Sequence, residues 1–280
     1  MKKEHILIIR FSALGDVAMA VPVVYSLAMT YPHVRITVLS RGFARPFFED
    51  LAPNVSFMEA DIKGEYRGIK GLNALYRRLV AKKPTAVADF HGVLRSTYLR
   101  MRFNMERFRV EHINKHRSGK RALTSSSDKR MVQQPTSFDN YAEVLARLGY
   151  PVKLQFSSIF GNEGGDLSLL PSAIGKRNEG EQWIGIAPFA AHKGKVYPPE
   201  MMERVIDLIE ENNPHCRIFL FGRGRDESHT FPEWCARHSH CIFVGDHLDT
   251  MRLVLVLMSH HDVMVSMDSA NMHMALLTGT

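Results

Sequence analysis

The chain has 280 residues, 45% hydrophobic and 23% charged, with a formal net charge of +7; this is the composition of a globular protein long enough for two domains. No apolar run approaches the roughly 20 residues that span a bilayer, and the early apolar stretch is broken by Arg10 and Asp16 with no small-residue cleavage site behind it, which argues against a signal peptide. Cys216, Cys235 and Cys241 are scattered without a paired spacing, which favours reduced thiols in a cytosolic compartment over a zinc site.

The chain opens with an apolar run, Ile6 to Ile9, followed by Arg10-Phe11 and then Ser12-Ala13-Leu14-Gly15-Asp16. This reads as a buried strand, a tight turn eased by Gly15, and a helix beginning near Asp16. In open α/β sheets ligands bind outside the carboxyl ends of strands, so this turn faces the expected site. Asp16 has two readings there, a helix cap or a general base. The helix is expected to continue from Val17 to Thr30, with Pro22 as a kink. A strand at residues 35–40, a helix at 43–51, a strand at 55–58 and a basic helix at 66–82 follow. The buried strand 85–90 ends in His91-Gly92; residues 93–103 read as helix and 108–113 as a strand.

Between Arg95 and Arg130 eleven Arg and Lys residues face only Glu106, Glu111 and Asp128, so the charge excess of the whole chain lies in this segment. It is either a solvated basic face or a surface for something anionic, such as a phosphorylated lipid, a membrane or nucleic acid. Nearby aromatics are few and no nucleic-acid-binding signature is present, so nucleic acid ranks last. Residues 115–136, polar and Ser-rich, read as an exposed loop, and 137–148 as an amphipathic helix stopped by Gly149.

The domain reading is 1–150, a linker region 151–182 with one short strand at 153–157, and 183–280. The second half repeats the alternation, with strands at 183–188, 217–221, 241–244 and 262–267 and helices at 198–211 and 248–259. Alternating βα units in two halves predict an α/β fold of two doubly wound domains with a cleft between them. Two stretches in this half carry chemistry. His192-Lys193-Gly194-Lys195-Val196-Tyr197-Pro198 follows a strand end, and its lysines either sit in a solvated turn or neutralise a phosphate. Asp268-Ser269-Ala270-Asn271-Met272-His273 turns from a strand into a helix, whose open N–H groups suit a diphosphate. Ser269 adds a hydroxyl donor, Asp268 can bind a ligand hydroxyl or cap the helix, and His273 is either a core histidine or faces the strand ends.

Together SALGDV, DFHGVLRS, HKGKVYPPE and DSANMHMA, in that order, resemble glycosyltransferase family 9, the ADP-heptose:lipopolysaccharide heptosyltransferases and their relatives. The resemblance implies a GT-B architecture of two Rossmann-like domains, acceptor on the first and nucleotide sugar on the second. It also implies inverting, metal-independent transfer without a cofactor, from a nucleotide-sugar donor, with ADP-heptose the favoured one, to a phosphorylated lipid or oligosaccharide acceptor. The expected place is the cytoplasm, or the cytoplasmic surface of the inner membrane. By the same resemblance Asp16 matches the catalytic base, and Lys195 the lysine that contacts the donor phosphates. Asp268, Ser269 and His273 match the motif at the diphosphate, Glu227 the acid that holds the donor ribose, and Arg95 a basic residue on the acceptor side.

The sequence departs from the family pattern at Ala270, where glycine is usual, and at Tyr197, where tryptophan is commoner. The family also continues past Thr280 with a strand, further donor contacts and a returning helix, so the chain reads as truncated. An unpaired sheet edge, weakened stability and uncertain activity are the expectation. Two alternatives keep the fold and lose the transfer: a sugar-nucleotide-binding protein without turnover, and a GT-B-like sugar-nucleotide isomerase. A dinucleotide-dependent oxidoreductase is disfavoured, because the first turn carries Gly15 alone and no G-x-G-x-x-G.

Overall fold

The computed structural model describes residues 4–280 and contains two compact α/β units, the first running through Phe156 and the second Ser157–Thr280. The first is built on β1 (His5–Ile9), β2 (Arg35–Ser40), β3 (Val55–Glu59), β4 (Ala86–Asp89) and β5 (Arg109–His112). These pair in the order β3-β2-β1-β4-β5, all parallel, with Ile8 opposite Val38 on one side and Ala88 on the other. A central parallel strand is covered on both faces, and so Ile6 to Ile9 form a continuous apolar run, each at most 1% exposed.

The helices of this unit are α1 (Leu14–Ala18), α2 (Val21–Thr30), α3 (Arg45–Phe48), α4 (Gly68–Ala81), α5 (Leu94–Met105), α6 (Arg117–Thr124) and α7 (Ser137–Arg147). Leu75 and Leu79 of α4 and Leu99 and Phe103 of α5 pack onto Leu7, Ile9 and Val87 of the sheet. At the start of α7 the Thr136 hydroxyl accepts from the Asp139 amide (3.2 Å) and the Asp139 carboxylate accepts from the Thr136 amide (2.9 Å). Gly149, at φ +85°, ends the helix as its position in the sequence suggested.

The second unit is built on β6 (Gln182–Ala187), β7 (Cys216–Leu220), β8 (Cys241–Phe243) and β9 (Val263–Ser266), in the parallel order β8-β7-β6-β9. Its helices are α8 (Pro199–Asn212), α9 (Arg225–Arg237), α10 (Met251–Met258) and α11 (Ala270–Thr278). Ile184, Ile186, Ile206 and Ile218 share a core with Phe231 and Trp234 of α9. The irregular segment before β6 is tied down by charge. Arg177 grips both carboxylate oxygens of Asp262 (2.7 and 2.5 Å), and Glu181 accepts from Arg217 (2.7 Å) and from the Trp183 indole (2.8 Å).

Five local expectations are corrected. The helix expected over 17–30 is two: α1 stops at Ala18, and α2 restarts at Val21 with Pro22 in its first turn, where its missing N–H costs nothing. The helix expected over 43–51 is a 3-10 turn, Gly42–Ala44, followed by the four residues of α3. The loop expected over 115–136 contains α6, whose basic residues 117, 120 and 121 already lie at helical spacing; none of its side chains is buried, so no apolar stripe announced it. No strand forms at 153–157; there the Gln155 amide donates to the Ser26 hydroxyl (3.0 Å) rather than to a strand partner. Finally α9 was not foreseen, because Pro232 lies inside it and Gly222 and Gly224 precede it.

Candidate functional site

Each sheet has a point where its strand order reverses: β1 leads to β2 on one side and the chain returns to β4 on the other, and β6 stands in the same way between β7 and β9. Carboxyl-end loops part at such points, leaving room for a ligand. In the first unit the loops after β1 and β4 do this. Arg10 follows β1 and is only 6% exposed. Its Nη1 donates to the Phe90 carbonyl (2.6 Å) and its Nη2 pairs with Asp16 Oδ2 (2.6 Å). The Ala13 amide donates to the same Oδ2 (3.1 Å), and the Tyr141 hydroxyl donates to the Asp16 carbonyl (3.1 Å). Tyr141 in turn stacks on Phe90 at 4.6 Å. Asp16 thus lies in the first turn of α1, facing back toward the N-terminus of that helix, with a side chain 41% exposed. Its bond to Ala13 satisfies the cap reading; its partial exposure and its fixed orientation leave the base reading open.

After β4, the buried Asp89 accepts from the amides of His91 (2.9 Å) and Gly92 (3.0 Å) through Oδ1. Its Oδ2 lies 3.6 Å from Arg100 Nη1. His91 Nε2 is 3.4 Å from the Ser12 hydroxyl, which joins the β4 loop to the β1 loop. Burial, reinforced by Arg10 and Lys115, pushes the His91 imidazole down to about 4. Beyond Gly92 a cavity of about 560 Å³ opens, its lining including Arg100, Lys115, Arg117, Arg147 and Glu111. Burial lowers the Lys115 ammonium, and Arg10 and Arg117 lower it further, the direction expected where cations crowd one another. Arg95 is exposed in the first turn of α5, next to this loop in sequence, and is not part of the cavity lining.

In the second unit the loops after β6 and β9 carry the other candidates. Lys195 closes a 3-10 turn, Lys193–Lys195, and its Nζ contacts Asp268 Oδ2 at 2.5 Å. The hydrogen bond and then the charge of Lys195, with His273 adding to it, hold the Asp268 carboxyl below the usual carboxylate range. Ser269 is the N-cap residue of α11, but its hydroxyl makes no capping bond and lies 3.5 Å from the Ser266 hydroxyl. The first-turn amides of α11 are therefore not closed off by their own cap. His273 stands one turn into that helix, half-buried. The structure brings Lys195, Asp268 and Ser269 together, with His273 within electrostatic reach of Asp268.

Glu227 sits in the first turn of α9, at the end of neighbouring β7. A side chain at Gly222 or Gly224 would collide with its carboxylate, so those two glycines make the space it occupies. A second cavity, of about 520 Å³, is lined in part by Phe189, Lys193, Val196, Pro198, Asp226 and Thr230, and Glu227 is not part of its lining. Among the described residues no group of three or more His, Cys, Asp and Glu side chains is placed to hold a metal ion.

Sequence reasoning missed Arg10, Asp89, Arg100 and Tyr141 as parts of this site. Arg10 did carry a signal, a charge placed directly after a fully apolar strand and before a turn. Asp89 carried a similar one, an acid closing the buried run Ala86 to Ala88. Tyr141 lies on a helix 125 residues away from Asp16 and carried none.

Two parallel-sheet α/β units with their candidate residues at the switch points define a GT-B fold, and the comparisons agree. The profile of glycosyltransferase family 9 (heptosyltransferase) matches residues 72–279, and the chain belongs to that family. Among solved structures, the E. coli heptosyltransferase WaaC with ADP-2-deoxy-2-fluoro heptose aligns with a TM-score of 0.70 at 16% identity, over 98% of this chain and 86% of that one. The family 9 glycosyl transferase from Veillonella parvula DSM 2008 aligns with a TM-score of 0.72 at 18% identity, over 100% and 80%. E. coli ADP-heptose lps heptosyltransferase II gives 0.63 at 17% identity, over 98% and 82%. No curated protein sequence matches the chain.

Proposed function

We propose that this glycosyltransferase moves a heptose or closely related sugar from a nucleoside-diphosphate donor to an anionic glycan acceptor, with inversion at the anomeric carbon. The observation that carries the donor half is the Lys195–Asp268 pair beside the open N-terminus of α11. Departure of a nucleoside diphosphate builds negative charge on its phosphates, and a fixed ammonium together with helix N–H groups stabilises that charge. Asp268 holds Lys195 in place, Ser269 supplies a hydroxyl, and His273 adds a donor one turn further on. Glu227, in the pocket left by Gly222 and Gly224, is assigned to the donor ribose. WaaC binds an ADP-heptose analogue, which supports ADP-heptose as the donor.

On the acceptor side, Asp16 is assigned as the base. Both of its contacts fall on Oδ2, so Oδ1 is the oxygen that takes the acceptor hydroxyl proton as the new glycosidic bond forms. Arg95 and the cationic cavity of Arg100, Lys115, Arg117 and Arg147 suit a phosphorylated or carboxylated acceptor. Arg10 is a positioning residue for Asp16. Arg10→Lys, which keeps the charge and loses the two-pronged grip on Phe90 and Asp16, is expected to lower turnover by about one to two orders of magnitude. Donor affinity is expected to stay the same; kcat and the donor dissociation constant measured side by side check this.

Lys195 and the α11 N-terminus take the place that a metal ion would fill, so EDTA is expected to leave transfer unchanged. The test of the donor reading is thermal stabilisation by ADP, GDP, UDP and CDP. One diphosphate is expected to raise the melting temperature selectively, ADP if the donor is ADP-heptose. In Lys195→Ala the affinity for that nucleotide is expected to fall by about 10- to 100-fold, the loss of one charge-assisted contact or two. Unchanged affinity in that variant would remove Lys195 from the phosphate site.

A further inference from the structure

The outer face of α4 and α5 carries large apolar side chains that nothing in the first unit covers. On α5, Leu94, Met101 and Met105 are 90%, 49% and 72% exposed. With half-buried Tyr98 they recur at helical spacing as one stripe, opposite the buried stripe of Ser96, Leu99 and Phe103. On α4, Ile69 is 67% exposed. The two helices are held in register where the Tyr98 hydroxyl and the Arg102 guanidinium both donate to Asn73 Oδ1. One turn earlier on each helix stand Ile69 and Leu94, so the apolar residues of the two helices form a single patch.

The charges carried by the two helices all have one sign, and an exposed acid, Glu106, stands just past Met105 at the end of α5. Neither helix contains an Asp or Glu, while Lys70, Arg77, Arg78, Arg95, Arg100 and Arg102 lie on them. Arg100 turns inward to Asp89, and Arg78 approaches Glu65, which precedes α4. Lys70, Arg77 and Arg95 remain exposed beside the apolar stripe. Exposed apolar side chains flanked mainly by cations are the pattern that enters the boundary between headgroups and acyl chains of an anionic bilayer. A protein partner with an acidic rim would match the charge, but exposed methionines and a leucine are not the aromatic anchors that dominate protein interfaces. Among the described residues no helix is long and apolar enough to cross a membrane, so attachment through this face would lie on the surface.

We infer that the α4–α5 face is a docking surface for an anionic lipid bilayer, with Ile69, Leu94, Met101 and Met105 inserting and Lys70 and Arg77 meeting lipid phosphates. The inference rests on the reading of the acceptor as lipid-borne, and it places the cationic cavity, which adjoins the start of α5, at the lipid surface.

The experiment is co-sedimentation of the full chain with vesicles that lack any acceptor glycan. One set is phosphatidylethanolamine with roughly 30% phosphatidylglycerol, an anionic surface; the other is neutral phosphatidylcholine. Binding is expected to the anionic set only, and to weaken at about 0.5 M salt, where screening is nearly complete. Ile69→Gln/Met101→Gln/Met105→Gln and Lys70→Gln/Arg77→Gln are each expected to bind about tenfold or more weakly, since one removes inserted apolar area and the other charge. Their melting temperatures are expected to match the unsubstituted chain, which excludes misfolding as the cause. Absence of binding to anionic vesicles would overturn the inference, as would binding that neither variant weakens. So would concentration-dependent self-association that the apolar variant abolishes, because a second copy would then be the occupant. Nucleotide stabilisation measured on the same samples separates the two readings: a chain that binds a nucleoside diphosphate and ignores vesicles keeps its donor site and loses this surface.

Discussion

Replacing Asp16 by asparagine is expected to lower sugar transfer by about two to four orders of magnitude, the usual worth of a positioned general base. Nucleotide affinity is expected to change by no more than a few-fold, because every residue assigned to the donor belongs to the second unit. Asparagine keeps the volume of the side chain and can still accept from the Ala13 amide, so the turn before α1 should survive. What it loses is the capacity to take a proton. The Asp16 carboxylate is held by a guanidinium that is itself fixed on the Phe90 carbonyl, and by the Ala13 amide, so its orientation is set from both the β4 end and the turn before α1. Rapid-quench turnover and nucleotide titration of the same preparation give both numbers. A variant that turns over at the unsubstituted rate would remove Asp16 as the base and leave only its helix-capping role.

Acidification between pH 6.5 and 4 is expected to destabilise both units. His91 in the first and His261 in the second are nearly fully buried, and burial lowers each imidazole from 6.5 to about 4. The His261 ring lies against Phe219 and Phe221 with its Nδ1 near the Leu257 carbonyl (2.8 Å), and its Nε2 has no hydrogen-bond partner. Above pH 6.5 both folded and unfolded chains hold these rings neutral, and stability is unaffected. Below it the unfolded chain binds a proton that the folded chain refuses until about pH 4, so stability rises with pH across this window. The loss at pH 5 is roughly 2 kcal/mol for each histidine, a large part of the few kcal/mol that hold a domain folded. Urea unfolding at pH 7.5 and pH 5 checks this. His261→Leu is expected to flatten the pH dependence of the second unit and leave that of the first unchanged. An unaltered slope in that variant would show that the histidine titrates normally in the folded chain.

Much of this was legible in the sequence, for identifiable reasons. The central strands announced themselves because parallel strands are covered on both faces, and β2 matches its expected span of residues 35–40. The loop after β6 and the turn into α11 stood out because lysines and an Asp-Ser pair directly follow apolar runs, although a solvated turn and a helix cap would use the same residues. Elements without an apolar stripe, or with a residue that local rules treat as a stop, were not legible. Residues 117–124 form a helix without burying a side chain, and α9 carries a proline that local rules treat as a stop. The clamp on Asp16 was hidden because it depends on tertiary contact. Arg10, Phe90 and Tyr141 are far apart along the chain and meet only because β4 pairs beside β1. Single residues at strand ends could be read one at a time; the partners that orient them could not.

The measurement that bears most directly on the account is transfer itself. The chain is incubated with ADP-heptose and a heptose-free lipopolysaccharide inner core, and the product is followed by mass spectrometry and its anomeric configuration by NMR. A product heavier by one heptose is expected, with configuration inverted relative to the donor, formed with EDTA present and absent with Asp16→Asn. A product that retains the donor configuration, or donor binding without any transfer, would contradict the proposed function.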